Sequence, residues 1–224
     1  MIALRPSEER GHADHGWLNS YHTFSFADYH DPKHMGFRAL RVLNDDRVAP
    51  GKGFGAHGHR DMEIISYVME GSLAHKDSTG HQEVLEPNMV QAMSAGTGVI
   101  HSEFNPSPSE PAHFLQIWIE PAVRDSEPSY QQFAYQPEEK RGRLRLIAGP
   151  DEDPSHKQTG GASAVIRQDP RMYASVLRDG ESIEQPIAEG RHAWVHCAQG
   201  DITLNGHALK EGDGFTERPL EPAL

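Results

Sequence analysis

Short runs of alternating apolar and polar residues recur along the chain. In the first half they occupy residues 21–26, 37–43, 63–69, 72–75, 84–86, 90–93, 99–104 and 114–119. Gly, Asp or Pro turns separate these runs at intervals of about eight to twelve residues, and the Asn-Asp-Asp sequence at 44–46 is predicted to be one such turn. No stretch has a helical period of apolar residues. The pattern predicts an all-β fold, either a sandwich or a barrel.

A region rich in helix and strand breakers divides the chain, from Pro121 to about Gly142. Beyond it the pattern of short strands returns, at residues 144–148, 164–167, 173–177, 193–197 and 201–204. We therefore expect two domains, residues 1–130 and residues 131–224.

Charge and hydropathy argue against several classes of protein. The chain has 21 basic and 33 acidic residues, a formal net charge of −12, and no run of Lys or Arg. This balance disfavours non-specific binding to nucleic acid or to anionic lipid. No apolar run approaches the length that spans a bilayer, and the first residues lack the apolar segment of a secretory signal. We expect no membrane association and no secretion.

The single cysteine, Cys197, lies in an apolar strand-like run. One cysteine cannot form an intrachain disulfide, and this usage fits a reducing compartment. We expect Cys197 to be a small buried hydrophobic residue rather than a reactive thiol, and the protein to be cytoplasmic.

Two glycine-rich stretches carry the residues with the clearest chemistry. His57 and His59 are two positions apart in the first stretch, and His101 and Glu103 are two positions apart in the second. Residues two apart on a β-strand point to the same side of the sheet. If the two strands meet inside a barrel, three imidazoles and one carboxylate surround one point. Such a donor set suits a first-row transition metal and leaves coordination positions open.

Spacing alone does not identify a metal site, because the chain has 15 histidines and some pairs with this spacing are expected by chance. His81 and Glu83 form a similar pair, but they follow a turn and are interpreted as a solvated strand start. The remaining candidates in the first thirty residues, His12, His15 and His22, have no paired partner and are expected to be surface or hydrogen-bonded residues.

Three charged residues close to His59 in sequence are expected to have structural roles rather than to bind metal. By strand alternation Glu63 falls on the face opposite His59, so we expect it to support the site rather than to bind metal. Arg60 and Asp61 are expected to form a structural pair.

A short internal sequence similarity links the two halves. The strand-glycine-strand pattern around Gly71 returns around Gly200. Aligning these glycines places Pro186 and Ala188 opposite the two histidines of the first stretch. If the second half is a copy of the first, its ligands are gone, which predicts one metal ion per chain, held by the N-terminal half.

Longer motifs resemble the pirin family of the cupin superfamily. They are WLNSYHTFSF at 17–26, GFRALRVLNDDR at 36–47, RDMEI at 60–64 and MSAGTGVIHSEFN at 93–105. The resemblance implies a bicupin, that is, two β-barrel or jelly-roll domains in tandem. It also implies an N-terminal iron-type site on His57, His59, His101 and Glu103. Fe(II) is the favoured ion, and Mn, Ni, Cu or Zn remain open because ligand type alone does not choose among them.

Bacterial members of this family resemble quercetin 2,3-dioxygenases. The resemblance therefore implies a planar phenolic substrate, dioxygen as the second substrate, and release of carbon monoxide. Glu103 is the candidate catalytic residue, either as a metal ligand or as the base that takes the substrate hydroxyl proton. The alternative is a non-enzymatic, redox-responsive regulator that acts through protein partners; animal members of the family resemble transcription cofactors. The acidic net charge argues against a role on nucleic acid.

Two features depart from the family pattern. Gly58 stands between the two histidines of the first stretch, where the family usually has proline, and this predicts a looser strand. Near the C-terminus, Pro219 and Pro222 argue against a final paired central strand. How the second barrel closes is left open.

Overall fold

The computed structural model describes residues 3–150 and 163–216, which form nineteen short strands and very little helix. The strands of the first half are β1 (Ala3–Arg5), β2 (Gly11–Asp14), β3 (Leu18–His22), β4 (Leu40–Val48), β5 (Gly53–His59), β6 (Glu63–Glu70), β7 (Leu73–Asp77), β8 (Gln82–Leu85), β9 (Met89–Ser94), β10 (Val99–Phe104), β11 (Ala112–Ile119) and β12 (Ser129–Ala134). Those of the second half are β13 (Arg145–Gly149), β14 (Ala164–Val165), β15 (Met172–Ala174), β16 (Trp194–His196), β17 (Ile202–Leu204), β18 (His207–Leu209) and β19 (Gly214–Thr216). The all-β prediction is confirmed.

Helical structure within the described ranges is limited to a 3-10 turn at Ser7–Glu9 and a four-residue helix, α1, at Pro137–Lys140. Neither is long and apolar enough to cross a bilayer.

Two antiparallel sheets of the first half form a barrel. The larger has seven strands in the order β12-β9-β6-β11-β4-β3-β2, and the smaller has four in the order β5-β10-β7-β8. Side chains of β10 reach across the interior to β6 and β11, as the hydrogen bonds from Ser66 and Gln116 to Glu103 demonstrate. The two stretches that carry the candidate ligands lie on neighbouring strands of the smaller sheet.

The central strands of the larger sheet are buried on both faces. On β6, Ile64, Ser66 and Val68 alternate with Ile65, which packs in a cluster shared with Ile147 of the second half. A strand covered on both sides has no polar face, so its sequence is a nearly continuous apolar run rather than an alternating one.

Two apolar clusters flank a polar middle layer in the barrel interior. One cluster includes Val68 and Phe114, and the other includes Ile64 and Met93. Along β6, Ser66 lies between residues of the two clusters, and it is fully buried. The fold thus places buried hydrogen-bonding groups at the middle of an otherwise apolar interior.

The second half forms smaller sheets. Their strand orders are β1-β19-β16, β14-β13-β15 and β17-β18, so the first strand of the chain pairs with the last described one. Pro219 and Pro222 lie outside the described residues. Cys197 is buried and free, as expected, and burial raises the pKa of its thiol to about 11. The predicted boundary at residues 130 and 131 falls within β12, which pairs along its length with β9; the domain division stays a prediction.

The turn predicted at residues 44–46 is wrong. These residues lie inside β4, between β3 and β11, and are only 1–3% exposed. They are tolerated there because two of them have strong partners. Asp45 accepts hydrogen bonds from His113 and Arg47, each at 2.8 Å, and Asp46 accepts one from the Ser20 hydroxyl. The partners of Asp45 offset the hydration that its carboxylate loses on burial, and they hold its pKa below the usual value.

Burial of Asp46 predicts a pH-dependent effect on stability. Burial raises the pKa of Asp46 from 3.8 to about 7, although the Ser20 hydroxyl opposes the rise. Between those values the unfolded chain releases a proton that the folded chain keeps, so stability falls as the pH rises through this window. Asp46→Asn stays neutral and can still accept from Ser20. We expect its melting temperature, relative to wild type, to be higher at pH 8 than at pH 5. A pH-independent difference would contradict this assignment.

The two glycines aligned by the internal sequence similarity, Gly71 and Gly200, offer a matched pair of substitutions. Gly71 and Gly200 both have φ of 70°, which a residue with a Cβ adopts at a cost of about 1–2 kcal/mol. A Cβ at Gly71 would lie 2.4 Å from the carbonyl oxygen of Pro111, whereas one at Gly200 meets nothing within 4 Å. Gly71→Ala should therefore lower the free energy of unfolding by a further ~1–3 kcal/mol compared with Gly200→Ala. Denaturant titration of both variants tests this, and equal losses would contradict it.

Candidate metal centre

The strand pairing of the smaller sheet positions the histidines. In the antiparallel pair of β5 and β10, His57 lies directly across from His101, and His59 is across from Val99. The register shifts between His101 and Glu103, at a bulge. Gly58 pairs with Ile100 inside the regular part of the strand. Alternation then turns both histidines of β5 toward the face that His101 occupies.

Three imidazoles converge on this face. Ligand atoms of His57, His59 and His101 all lie within 4.8 Å of one another. The ring centroids are separated by 4.4 Å for His57 and His101 and by 4.8 Å for His57 and His59. His101 is buried, whereas the two histidines of β5 are only partly buried. The group therefore opens toward the β5 edge of the sheet.

Hydrogen bonding and burial favour the metal-binding form of these rings. The Nδ1 of His57 lies 2.8 Å from the carbonyl oxygen of Gly55, which can only accept, so Nδ1 carries the proton and Nε2 keeps its lone pair. Burial lowers the pKa of His59 to about 4 and that of His101 to about 3, helped by the neighbouring imidazoles. Both rings are thus neutral near pH 7, as coordination requires.

The two ring nitrogens of His101 are buried and have no hydrogen-bond partner. An unpaired buried polar atom is costly, and such atoms are rare in folded proteins. A metal ion bound by one of these nitrogens would remove part of that cost. The residues of the site therefore fit the divalent transition metal that the donor set indicates.

Glu103 lies deeper in the barrel interior. It accepts hydrogen bonds from the Ser66 hydroxyl at 3.1 Å and from the Gln116 amide at 2.9 Å. Burial raises the pKa of Glu103 to about 7, and these two hydrogen bonds oppose the rise. Its carboxylate falls in a second group of donors, with His75 and His101, whose ligand atoms also lie within 4.8 Å of one another. The four predicted ligands are thus divided between two groups that share His101.

Several polar residues of this interior were not predicted from the sequence. His75 and Asp77 are two apart on β7, like the pairs that were recognised, and this spacing was the available signal. Ser66 and Gln116 lie in apolar runs on β6 and β11 and carried no motif. Their roles follow only from the packing of the two sheets against each other.

The other candidates lie elsewhere. His12, His15 and His22 belong to neither donor group. Glu63 accepts a hydrogen bond from the Ser94 hydroxyl at 2.6 Å and belongs to neither donor group. Arg60 is paired with Asp125 and lies 3.7 Å from Asp61.

Aromatic rings lie next to the histidine group. The indole of Trp118 stands edge-on to the His59 ring, with centroids 4.9 Å apart, and Phe54 lies 6.5 Å from the His57 ring. Trp17 packs in turn against Phe54. These rings form an apolar border beside the imidazoles.

Comparison with known proteins agrees with the fold and with the motifs. Residues 3–119 match the family described as Pirin. The chain belongs to the pirin family. Residues 154–219 match the family described as Quercetinase C-terminal cupin domain. The predicted resemblance and the bicupin architecture, with an N-terminal and a C-terminal cupin domain, are confirmed.

Individual pirin relatives match over nearly the whole chain. A protein of Escherichia coli K12 named quercetin 2,3-dioxygenase is 45% identical over 216 residues, which are 96% of this chain and 89% of that protein. A pirin-like protein of Caulobacter vibrioides is 38% identical and covers 96% of this chain and 89% of its own length. The crystal structure of the bacterial pirin YhhW from Escherichia coli in complex with nickel(II) superposes with a TM-score of 0.86 at 43% identity, covering 98% of this chain and 91% of that one.

Proposed function

We propose that this pirin is a metal-dependent dioxygenase, a cytoplasmic enzyme of the quercetin 2,3-dioxygenase type. It cleaves flavonols such as quercetin with dioxygen and releases carbon monoxide. One divalent transition metal ion per chain, Fe(II) in preference to Mn, Ni, Cu or Zn, is held by His57, His59, His101 and Glu103. The observation that carries the proposal is the convergence of three imidazoles at a partly open face of the barrel. The relative named quercetin 2,3-dioxygenase supports the reaction class.

Each residue of the site has a defined task in this proposal. The histidines hold the ion, which when bound supplies Lewis acidity and open positions for substrate oxygens. Glu103 has a pKa of about 7, so near neutral pH its carboxylate can take the proton of the flavonol hydroxyl. Ser66 and Gln116 donate to that carboxylate and fix its orientation.

The border of the site suits a planar aromatic substrate. Phe54 and Trp118 stand beside the two histidines of β5. Aromatic faces and edges stack with a flat phenolic ring and exclude water from it.

Anaerobic reconstitution tests the proposal directly. The full chain is stripped with a chelator, loaded in turn with Fe(II), Mn(II), Ni(II) or Cu(II), and exposed to quercetin and air-saturated buffer. We expect one ion bound per chain, and for at least one metal the consumption of one O2 and release of one CO per quercetin. His12→Ala, which alters an exposed histidine outside both donor groups, should behave like wild type.

Two outcomes would contradict the proposal. Failure to bind any of the four ions would refute the metal site itself. Stoichiometric binding without oxygen uptake would refute the dioxygenase and favour the alternative, a redox-responsive regulator that acts through a protein partner.

A further inference from the structure

His75 is placed beside the candidate ligands by strand pairing. In the antiparallel pair of β10 and β7, Glu103 lies directly across from His75, and His101 lies directly across from Asp77. Directly paired residues of neighbouring strands project to the same side of the sheet. The interior face of the smaller sheet therefore carries two further polar side chains, those of His75 and Asp77, next to His101 and Glu103. Both are buried, His75 at 1% and Asp77 at 8% exposure.

The hydrogen bond between these two residues determines which nitrogen of the His75 ring carries the proton. The Nε2 of His75 lies 3.0 Å from Oδ2 of Asp77, and a carboxylate only accepts, so Nε2 carries the proton. The other nitrogen, Nδ1, then holds a free lone pair. That nitrogen is buried and has no hydrogen-bond partner. A histidine that donates to a carboxylate through one nitrogen and offers the other is the usual form of a metal-binding histidine.

The free lone pair lies in a set of three possible donors. His75, His101 and Glu103 have ligand atoms within 4.8 Å of one another, and all three residues are buried. The set consists of two imidazoles and one carboxylate, a combination that binds Fe(II) with further positions open. Asp77 keeps its place through additional hydrogen bonds from the backbone and hydroxyl of Thr79, at 2.8 and 2.7 Å.

We propose a second coordination position in this barrel, formed by His75, His101 and Glu103, with Asp77 as the residue that orients His75. It adjoins the proposed position of His57, His59, His101 and Glu103 and shares His101 and Glu103 with it. The inference deepens the proposed metal site, because both positions depend on His101. One ion per chain can occupy either position: the first at the partly exposed β5 edge, the second enclosed among buried donors, where substrate has less access.

Removing the first position alone tests the second. The double variant His57→Ala/His59→Ala should still bind one Co(II) or Zn(II) per chain, more weakly than wild type, in calorimetric titration with a competing chelator. Adding His75→Ala should abolish the remaining binding. Adding Asp77→Asn instead should weaken it by roughly 10- to 100-fold, as expected when the partner of a metal-binding histidine is removed. X-ray absorption of the Zn(II)-loaded double variant should show two imidazole ligands.

His113 supplies the matched control. It is also a buried histidine bonded to a carboxylate, Asp45, but it lies outside both donor groups. Adding His113→Ala to the double variant should leave its metal affinity unchanged. Thermal melts of the metal-free variants establish that each is folded, and His57→Asn/His59→Asn repeats the test with side chains that keep more of the volume.

The outcomes separate this inference from the proposed function. If wild type binds no ion, the proposed metal site fails as a whole. If wild type binds one ion and the folded double variants bind none, only the second position is refuted. Equal affinities in the double variant with and without His75→Ala would also refute it.

Discussion

Replacing His101 with alanine is expected to abolish stoichiometric metal binding and flavonol-dependent oxygen uptake together. His101 is the only residue common to the two groups of donors within the described part of the chain, so no complete set remains without it. Without His101, Glu103 shares no donor group with His57 and His59, so two partly exposed imidazoles remain on one side and His75 with Glu103 on the other. Two protein donors bind a divalent ion far more weakly than three or four. Uptake should therefore fall to the level of the metal-free protein.

The measurement is metal analysis after desalting, combined with oxygen-electrode traces in quercetin. His113→Ala is again the appropriate control, because that histidine is similarly buried, at 4% against 2% exposure, yet contributes to neither group. Metal-free His101→Ala should still fold, with a lower melting temperature than the metal-free wild type because loss of the buried ring leaves a cavity. Retention of one tightly bound ion by folded His101→Ala would place the metal elsewhere.

Replacing Glu103 with glutamine is expected to lower both metal affinity and turnover, and to separate the two roles considered for this residue. Glutamine preserves the size of the side chain and an oxygen that can accept from Ser66. It removes the negative charge and the ability to take a proton. Loss of a charged ligand weakens binding of the ion, and loss of a general base costs typically 10²- to 10⁴-fold in rate.

Saturating metal distinguishes these contributions. If Glu103 acts only as a ligand, oxygen uptake by Glu103→Gln returns toward the wild-type rate once enough metal is supplied. If it also takes the substrate proton, the rate at full occupancy stays at least about 100-fold low. Glu103→Asp, which keeps the carboxylate on a shorter side chain, should recover part of the rate in the second case. Wild-type turnover in Glu103→Gln without added metal would exclude both roles.

The face of the sheet that carries the metal donors could be predicted from sequence because strand alternation is a local property. His57 and His59 share a face whatever their strand pairs with, and the same holds for His101 and Glu103. His75 could not be assigned in this way. Its proximity to Glu103 depends on the register between β7 and β10, which are separated by β8 and β9 along the chain. Register over such a distance is set by packing rather than by neighbouring residues.

The wrong turn at residues 44–46 has a related cause. Asn and Asp favour turns because their side chains can bond to nearby backbone. Here distant residues offer better partners, His113 for Asp45 and Ser20 for Asp46, and the strand continues. Composition predicts what a segment does in isolation, whereas the partners that override it come from other strands.

The pairing of β1 with β19 has a consequence for synthesis. Residues Ala3–Arg5 are synthesised long before their partner, Gly214–Thr216. Until then the first strand has no neighbour in that sheet, and closing the loop between them requires ordering most of the chain. Contacts so distant in sequence form late and slowly. The N-terminal barrel, with its metal donors complete by β10, can therefore assemble first, while the sheet that contains β1 cannot form until β19 has been synthesised.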